Sequence, residues 1–285
     1  MTDHSDAISA NKARWDEVVD IHLGSDGLED GYDITGAKAG SNRLTVIEET
    51  ELGSVDGLDV LHLQCHFGLD TLRLRRMGGR VTGLDFSPKA IAAARSLFAE
   101  AGEPGTFVEG DLYDAPRLID GRGAFDLVFV SWGTICWLPD VAGWARIAAH
   151  FLKPGGRLYF CDAHPAGLMI DDRGDQDEMR RGRVTLRYPY FHETAPLELD
   201  WPEDYANPDA VVQNTKTFEW SHPISDILNA VIGAGLALEW VHEHDRIAWK
   251  LLPIMEKGGH RMFRLPDDFP VRVPLSLSLS ARKSG

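Results

Sequence analysis

The residues whose spacing carries the most chemistry lie between Asp59 and Phe86. Gln64-Cys65-His66-Phe67-Gly68 forms a tight turn between the short apolar run at 60–63 and a segment of helical spacing at 69–77. Gly78-Gly79 stops that helix, and residues 80–85 read as a second strand ending on the carboxylate of Asp85. A strand, a turn, a helix start and an acid about twenty residues further on make up the general nucleotide-binding device. The first N–H groups of the helix hold a polar or anionic group, and the acid accepts hydrogen bonds from ribose hydroxyls. A dinucleotide fingerprint needs G-x-G-x-x-G, whereas this turn keeps Gly68 alone.

Further strand exits follow. Thr106-Phe107-Val108-Glu109 reads as a strand and leads to Gly110-Asp111-Leu112. Residues 124–130 are strongly apolar, as in the middle of a parallel sheet, and lead to Ser131-Trp132-Gly133-Thr134. Histidine titrates close to neutral pH and is the natural proton acceptor if one is needed. His62 falls inside the first strand and reads as a satisfied buried side chain. His66 stands in the turn, where ligand contact fits better than base chemistry. His164 follows Asp162 past the fifth strand, beside the place where an acceptor would sit, and is the candidate catalytic base or acceptor ligand. His222 sits at a helix start and reads as packing. His242 and His244 alternate along a strand, a spacing too weak to define a metal site.

Several motifs together carry a family resemblance. Val60-Leu61-His62-Leu63-Gln64-Cys65-His66-Phe67-Gly68 resembles motif I of the class I S-adenosylmethionine (SAM)-dependent methyltransferases, usually V-L-D-L-G-C-G-x-G. His62 stands for the acid, Gln64 for the first glycine and His66 for the second. Asp85-Phe86-Ser87, Gly110-Asp111-Leu112, Phe125-Asp126-Leu127-Val128 and Leu152-Lys153-Pro154-Gly155-Gly156-Arg157-Leu158 follow at the family's spacing. The chain is similar to that family over residues 10–162 and more loosely to its end, in the pattern of bacterial small-molecule methyltransferases. The resemblance implies SAM as cofactor and S-adenosyl-L-homocysteine as product. It implies a cofactor site made of Gln64, Cys65, His66, Gly68, Asp85, Phe86, Ser87, Asp111, Leu112, Ser131 and Trp132. Asp111 would meet the adenine amino group while Leu112 covers the ring. Trp15, Tyr32 and Arg43, in the segment before motif I, are the cap residues most able to touch a ligand. That segment is either a lid or a surface arm packed on the sheet. No metal is implied.

Local signals supply the elements that must position these groups. Alternation of strands and helices predicts an α/β fold with a parallel sheet covered on both faces. Together with the resemblance, this gives a Rossmann-like, seven-stranded, mostly parallel sheet of family order 3-2-1-4-5-7-6. Ligands then bind beyond the carboxyl ends of the strands. Residues 1–53 form an N-terminal helical cap. In it residues 1–9 are frayed, 11–19 are an amphipathic helix, 22–42 a glycine-rich loop and 45–52 a second helix. Residues 54–285 form the methyltransferase domain. A β-rich insertion follows strand 5 at about 163–215, with strands at 184–190 and 211–220. Residues 221–234 read as a helix, 236–244 as the sixth strand, and the alternating 274–282 as a half-exposed final strand.

Composition bounds the function. The chain has 285 residues, 44% of them hydrophobic, enough for one large core. A net charge of −15 argues against nucleic acid, which requires a clustered basic surface. No apolar run approaches membrane-spanning length. Three cysteines without metal spacing and no signal peptide point to a reduced, cytoplasmic protein, monomeric or homodimeric. The leading expectation is methyl transfer from SAM to a small-molecule acceptor by in-line displacement, with a histidine base if the acceptor must lose a proton. SAM binding without turnover and SAM-consuming chemistry of another type, such as cyclisation, stay open. The missing glycines argue against an NAD(P)-dependent oxidoreductase.

Overall fold

A computed structural model of the chain describes residues 4–40, 43–259 and 261–285. The N-terminal segment is more helical than the sequence suggests: α1 (Ser5–Leu23), α2 (Ile34–Ala39) and α3 (Val46–Glu51). Residues 5–9 are not frayed but belong to α1, and residues 1–3 lie outside the described residues. The glycine-rich 22–42 segment holds α2, whose start is capped by the Asp33 carboxylate accepting from Gly36 N at 2.8 Å. Ser41 and Asn42 lie outside the described residues. At α3, Thr45 and Glu48 form a capping box.

The expected alternation follows: β1 (Asp59–Leu63), α4 (Leu69–Arg76), β2 (Arg80–Asp85), α5 (Pro88–Ala101), β3 (Thr106–Glu109), α6 (Ala115–Leu118), β4 (Phe125–Ser131), α7 (Val141–Phe151) and β5 (Leu152–Ala163). Then come α8 (Gln176–Arg180), β6 (Leu197–Asp200), β7 (Lys216–Glu219), α9 (Ile224–Gly233), β8 (Leu236–His244), β9 (Arg246–Ile247), β10 (Glu256–Gly258), β11 (Met262–Arg264) and β12 (Ser276–Lys283). The main sheet has seven strands in the order β3-β2-β1-β4-β5-β12-β8. The first five are parallel, and β12 runs antiparallel to both β5 and β8. This is the order the family resemblance implies.

Strand alternation divides the core into two layers. Leu61, Leu63, Val128, Val130, Leu158 and Phe160 face one way, onto α7 and α9. Val60, Leu127, Phe129 and Tyr159 face the other, onto α4 and α5. Burial on both faces explains why these strands read as continuous apolar runs.

Three elements depart from expectation. Residues 184–190 form no strand; Leu186 makes a single bridge to Ile170 and is otherwise exposed, with no strand among the described residues completing a ladder. The insertion's sheet is instead the antiparallel β6–β7 hairpin, of which only Lys216–Glu219 falls in the expected 211–220 strand. A second insertion between β8 and β12 folds into a small sheet, β10-β11-β9, with its own apolar cluster around Ile247, Leu252 and Phe263. Finally, β12 is not half-exposed. Lying between β5 and β8, it buries Ser276, Ser278 and Ser280 completely, and their hydroxyls donate to Arg246 O, Glu51 and Glu239.

Candidate active site

A cavity of about 520 Å³ opens beyond the carboxyl ends of β1, β2 and β4. Its floor is the turn after β1 together with the exits of β2, β3 and β4. Its roof is α1, the β6–β7 hairpin and the segment 248–263.

The floor turn is strained where the family has glycine. Gln64 has φ 56° and His66 φ 50°, both left-handed, and Trp132 at the β4 exit has φ 55°. Such non-glycine conformations cost on the order of 1–3 kcal/mol each and persist at binding sites where the surroundings dictate them. Gln64 is fixed by its Nε2 donating to Thr134 O at 2.9 Å. Its Oε1 and the hydroxyl of Ser131, both at the cavity, are buried without a hydrogen-bond partner among the described residues. Buried polar atoms left open in this way fit a polar ligand.

Asp85 clasps the same turn. Its carboxylate accepts from His66 N at 2.8 Å and from Ser87 N at 2.9 Å. Burial pushes its pKa up to about 6, opposed by those N–H bonds and helped by nearby Asp16. Asp111 accepts from Tyr113 N at 2.8 Å, and burial raises its pKa as well. Asp162 shapes the β4 exit from beneath, accepting from the N–H groups of Gly133, Thr134 and Ile135 at 2.6–3.0 Å.

Floor and roof are joined by a chain of polar groups. Asp204, on the loop of the hairpin, lies 3.0 Å from His22 Nε2, and His22 Nδ1 lies 2.8 Å from His66 Nε2. The consistent tautomers have His22 donating to Asp204 and His66 donating to His22. Burial first, and then the neighbouring His22, hold the His66 pKa well below the ordinary histidine value. Rings pack around the chain: Trp15 meets His66 and Trp137 edge-on, and the Tyr32 hydroxyl bonds that of Tyr205. Asn11 fastens α1 to the hairpin, its amide bonding both Phe218 O (2.7 Å) and Phe218 N (2.8 Å).

The structure brings Trp15, Tyr32, Gln64, Cys65, His66, Asp85, Phe86, Asp111, Leu112, Ser131 and Trp132 to this one cavity. It leaves four of the sequence's candidates outside the lining. Arg43 is exposed, and its carbonyl accepts from Arg261. Gly68 caps α4 at φ 78°, with Ala94 and Phe107 so close that a Cβ would clash; its role is packing. Ser87 is fully buried as the N-cap of α5, accepting from Ala90 N and donating to Asp16. His164 is buried elsewhere, donating to Glu243 at 2.8 Å and accepting from Ala166 N at 3.1 Å, so both ring nitrogens are occupied away from the cavity. Of the other candidate histidines, His62 lines the cavity but is bonded to Thr71, His242 is bonded to Glu51 and His244 to Ser278, while His222 is held by Leu138 O through Nε2 and its buried Nδ1 has no partner among the described residues.

Sequence reasoning missed His22, Asp204, Arg261 and Glu219 as cavity or network groups, because each comes from an insertion or the cap. Glu48, also missed, is buried and accepts from Trp132 Nε1 at 3.0 Å. Burial and the adjacent Asp70 push its pKa up to about 7. Arg261 lines the cavity beside Asp70. Among the described residues, no cluster of three His, Cys, Asp or Glu side chains is arranged to hold a metal ion, and no helix is long and apolar enough to cross a membrane.

Comparison with known proteins points to methyltransferases. Residues 61–160 match the family model described as "Methyltransferase domain". The chain is 34% identical over 130 residues to an uncharacterized methyltransferase of Synechocystis sp., covering 44% of this chain and 56% of that protein. It is 33% identical over 109 residues to a ubiquinone biosynthesis O-methyltransferase of Paramagnetospirillum magneticum, covering 38% of this chain and 42% of that one. The chain thus spans about half the length of these relatives. Among solved structures, an S-adenosylmethionine-dependent methyltransferase from Mesorhizobium loti superposes with a TM-score of 0.56 at 25% identity, over 83% of this chain and 96% of that one.

Proposed function

We propose that this chain, whose residues 61–160 match the methyltransferase-domain model and which superposes on an S-adenosylmethionine-dependent methyltransferase, transfers a methyl group from SAM to a small-molecule acceptor. The observation that carries this reading is the convergence on one cavity of the strained 64–67 turn, Asp85 at the β2 exit and Asp111 at the β3 exit. Residues 1–53 act as the cap and 54–285 as the catalytic unit.

The residues present fit the cofactor. Asp85 accepts from the ribose hydroxyls, Asp111 accepts from the adenine amine, and Leu112 covers the ring. Arg261 supplies the positive charge that a carboxylate requires, and Asp70 beside it suits an ammonium group. Gln64 Oε1 and Ser131 Oγ, which lack partners among the described residues, gain polar ones. SAM supplies a methyl group on a cationic sulfur that is already a good leaving group. The chain's contribution is therefore alignment and exclusion of water. The roof serves both ends: Asn11 and the Asp204–His22–His66 chain hold α1 and the hairpin over the floor.

Isothermal titration with SAM and with S-adenosylhomocysteine tests the reading. Binding of both at micromolar concentration is the expected result, and binding of neither in the sub-millimolar range ends it.

A further inference from the structure

The hairpin in the roof carries a group for which the cofactor has no use. Alternation along β6 and β7 turns Leu197, Leu199, Thr217 and Glu219 toward the cavity. The opposite face takes Glu198 and Lys216, which pair with each other at 2.6 Å. Glu219 stands across from Leu197 in the register, so a carboxyl occupies a position on a face that is otherwise apolar or carries only a hydroxyl.

A carboxyl turned inward is costly unless it is partnered by a cation or by several donors. Among the described residues, no lysine or arginine pairs with Glu219. Its contacts are the Thr217 hydroxyl, long at 3.5 Å, and the Trp201 side chain. The charge that acts on it is another acid, Asp172, whose carboxylate accepts from the Tyr188 hydroxyl at 2.7 Å. The cations on this side are engaged elsewhere: Arg14 spends its guanidinium on the carbonyls of Trp201 and Glu203 at 2.5 and 2.8 Å, Arg173 donates to Asp200 O with its guanidinium 4.4 Å from the Trp201 ring, and Arg187, over the Tyr188 ring, pairs with Asp171 at 3.2 Å. Burial pushes the Glu219 carboxyl up to about 7, and Asp172 adds to the effect. Tyr188, Trp201 and Trp220 supply aromatic walls. The hairpin also abuts the exit of β4, where Trp220 N donates to Cys136 O at 2.8 Å. An acid with no cation paired to it, on a cavity wall beside aromatic side chains and a second acid, is the kind of surrounding that recognises an ammonium group on an apolar body.

We propose that the hairpin side of the cavity is the acceptor site, that it takes a small amine carried on an aromatic or apolar body, and that Glu219 receives the amine's proton. The proposal rests on the methyltransferase reading above. The bound ammonium gives one proton to the Glu219 carboxylate, which frees the nitrogen lone pair. That pair forms the N–C bond to the methyl carbon, and the C–S bond breaks with its electrons going to sulfur. The products are an N-methylammonium ion and a neutral thioether. Glu219 then loses its proton to water.

The test uses the full chain, with and without saturating S-adenosylhomocysteine. Phenethylamine, 2-phenylethanol and 3-phenylpropanoate are titrated separately, following tryptophan fluorescence and ligand NMR line widths. The amine is expected to bind about tenfold tighter than either analogue, a difference of about 1.4 kcal/mol. Glu219→Gln is expected to abolish that preference without changing S-adenosylhomocysteine affinity, and Glu219→Asp to keep the order amine over acid. If the Gln variant melts well below the parent, Asp172→Asn replaces it and is expected to weaken the amine severalfold. The proposal is overturned if the acid binds as tightly as the amine, if the charge-removing variant used leaves amine affinity unchanged, or if the amine fails to bind at low millimolar concentration. Failure to bind S-adenosylhomocysteine would instead overturn the methyltransferase reading, and a surviving amine preference would then mark an amine site of another kind.

Discussion

The floor and the roof of the cavity are built by opposite means. The floor comes from consecutive strand exits, each with its own turn, and its contacts are mostly between near neighbours in sequence. Asp85 reaches Ser87 two residues on and His66 nineteen residues back. The roof is assembled from α1, a hairpin after β5 and a second insertion after β8, and its contacts span most of the chain. The acids differ accordingly. Asp85 is clasped by two backbone N–H groups, while Glu219 has a long hydroxyl contact and a tryptophan. A floor acid held by the backbone suits a cofactor that is the same in every turnover. A roof acid left open suits a ligand chosen by the insertion.

The largest expected effect is on the floor. Asp85→Ala should abolish measurable S-adenosylhomocysteine binding, at least a hundredfold loss, or about 3 kcal/mol, since hydrogen bonds to a charged group contribute about 1.5–3 kcal/mol each. Calorimetry reads this directly, and a retained micromolar affinity would remove Asp85 from the site. The next effect is at the seam. Asn11→Ala deletes both bonds to Phe218, and a loss of about 2 kcal/mol is expected in denaturant unfolding. Amide exchange should rise along Lys216–Glu219, while protection in β1 and β4 stays unchanged. Faster exchange in β1 as well would show that floor and roof unfold as one unit.

The roof acid makes a prediction in pH. The Glu219 pKa is raised in the folded chain to about 7, from an ordinary 4.5. The folded state therefore keeps a proton that the unfolded chain has lost. Its contribution to stability declines as pH rises from about 4.5 to about 7 and is level above that. Glu219→Gln cannot ionise. Its melting temperature should match the parent's at pH 4 and exceed it increasingly toward pH 8, by an amount equivalent to about 1–3 kcal/mol. A variant no more stable than the parent at pH 8 would mean that Glu219 is well solvated. The smallest effect is expected at Arg43, which lies outside the cavity: Arg43→Ala should leave S-adenosylhomocysteine affinity unchanged. A tenfold loss would bring the 43–45 segment into the site.

Much of the floor was legible in the sequence because its signals are local. Gly78-Gly79, Ser87-Pro88 and the Lys153-Pro154-Gly155-Gly156 run punctuate the chain within a few residues, and apolar runs mark strands buried on both faces. The positions of Gln64 and His66 in the motif coincide with left-handed backbone, the physical reason the family uses glycine there. His164 was misplaced for an equally plain reason. Being next to a strand exit fixes where a backbone lies, not which way a side chain turns, and Glu243 on β8 took this one. The serines of β12 misled in the same manner, since period two predicts one polar face but not whether a neighbouring element covers it.

By itself, the sequence determined the alternation of strands and helices from β1 to β5, the turns between them and the acids at the strand tips, because hydrogen-bonding period and turn chemistry are decided among adjacent residues. Only the tertiary structure decided which residues close the cavity. His22 and Asp204 are 182 positions apart, and Asn11 and Phe218 are 207 apart. Such pairs become neighbours only when the insertions pack over a finished sheet, and no local pattern records where a folded segment will come to rest.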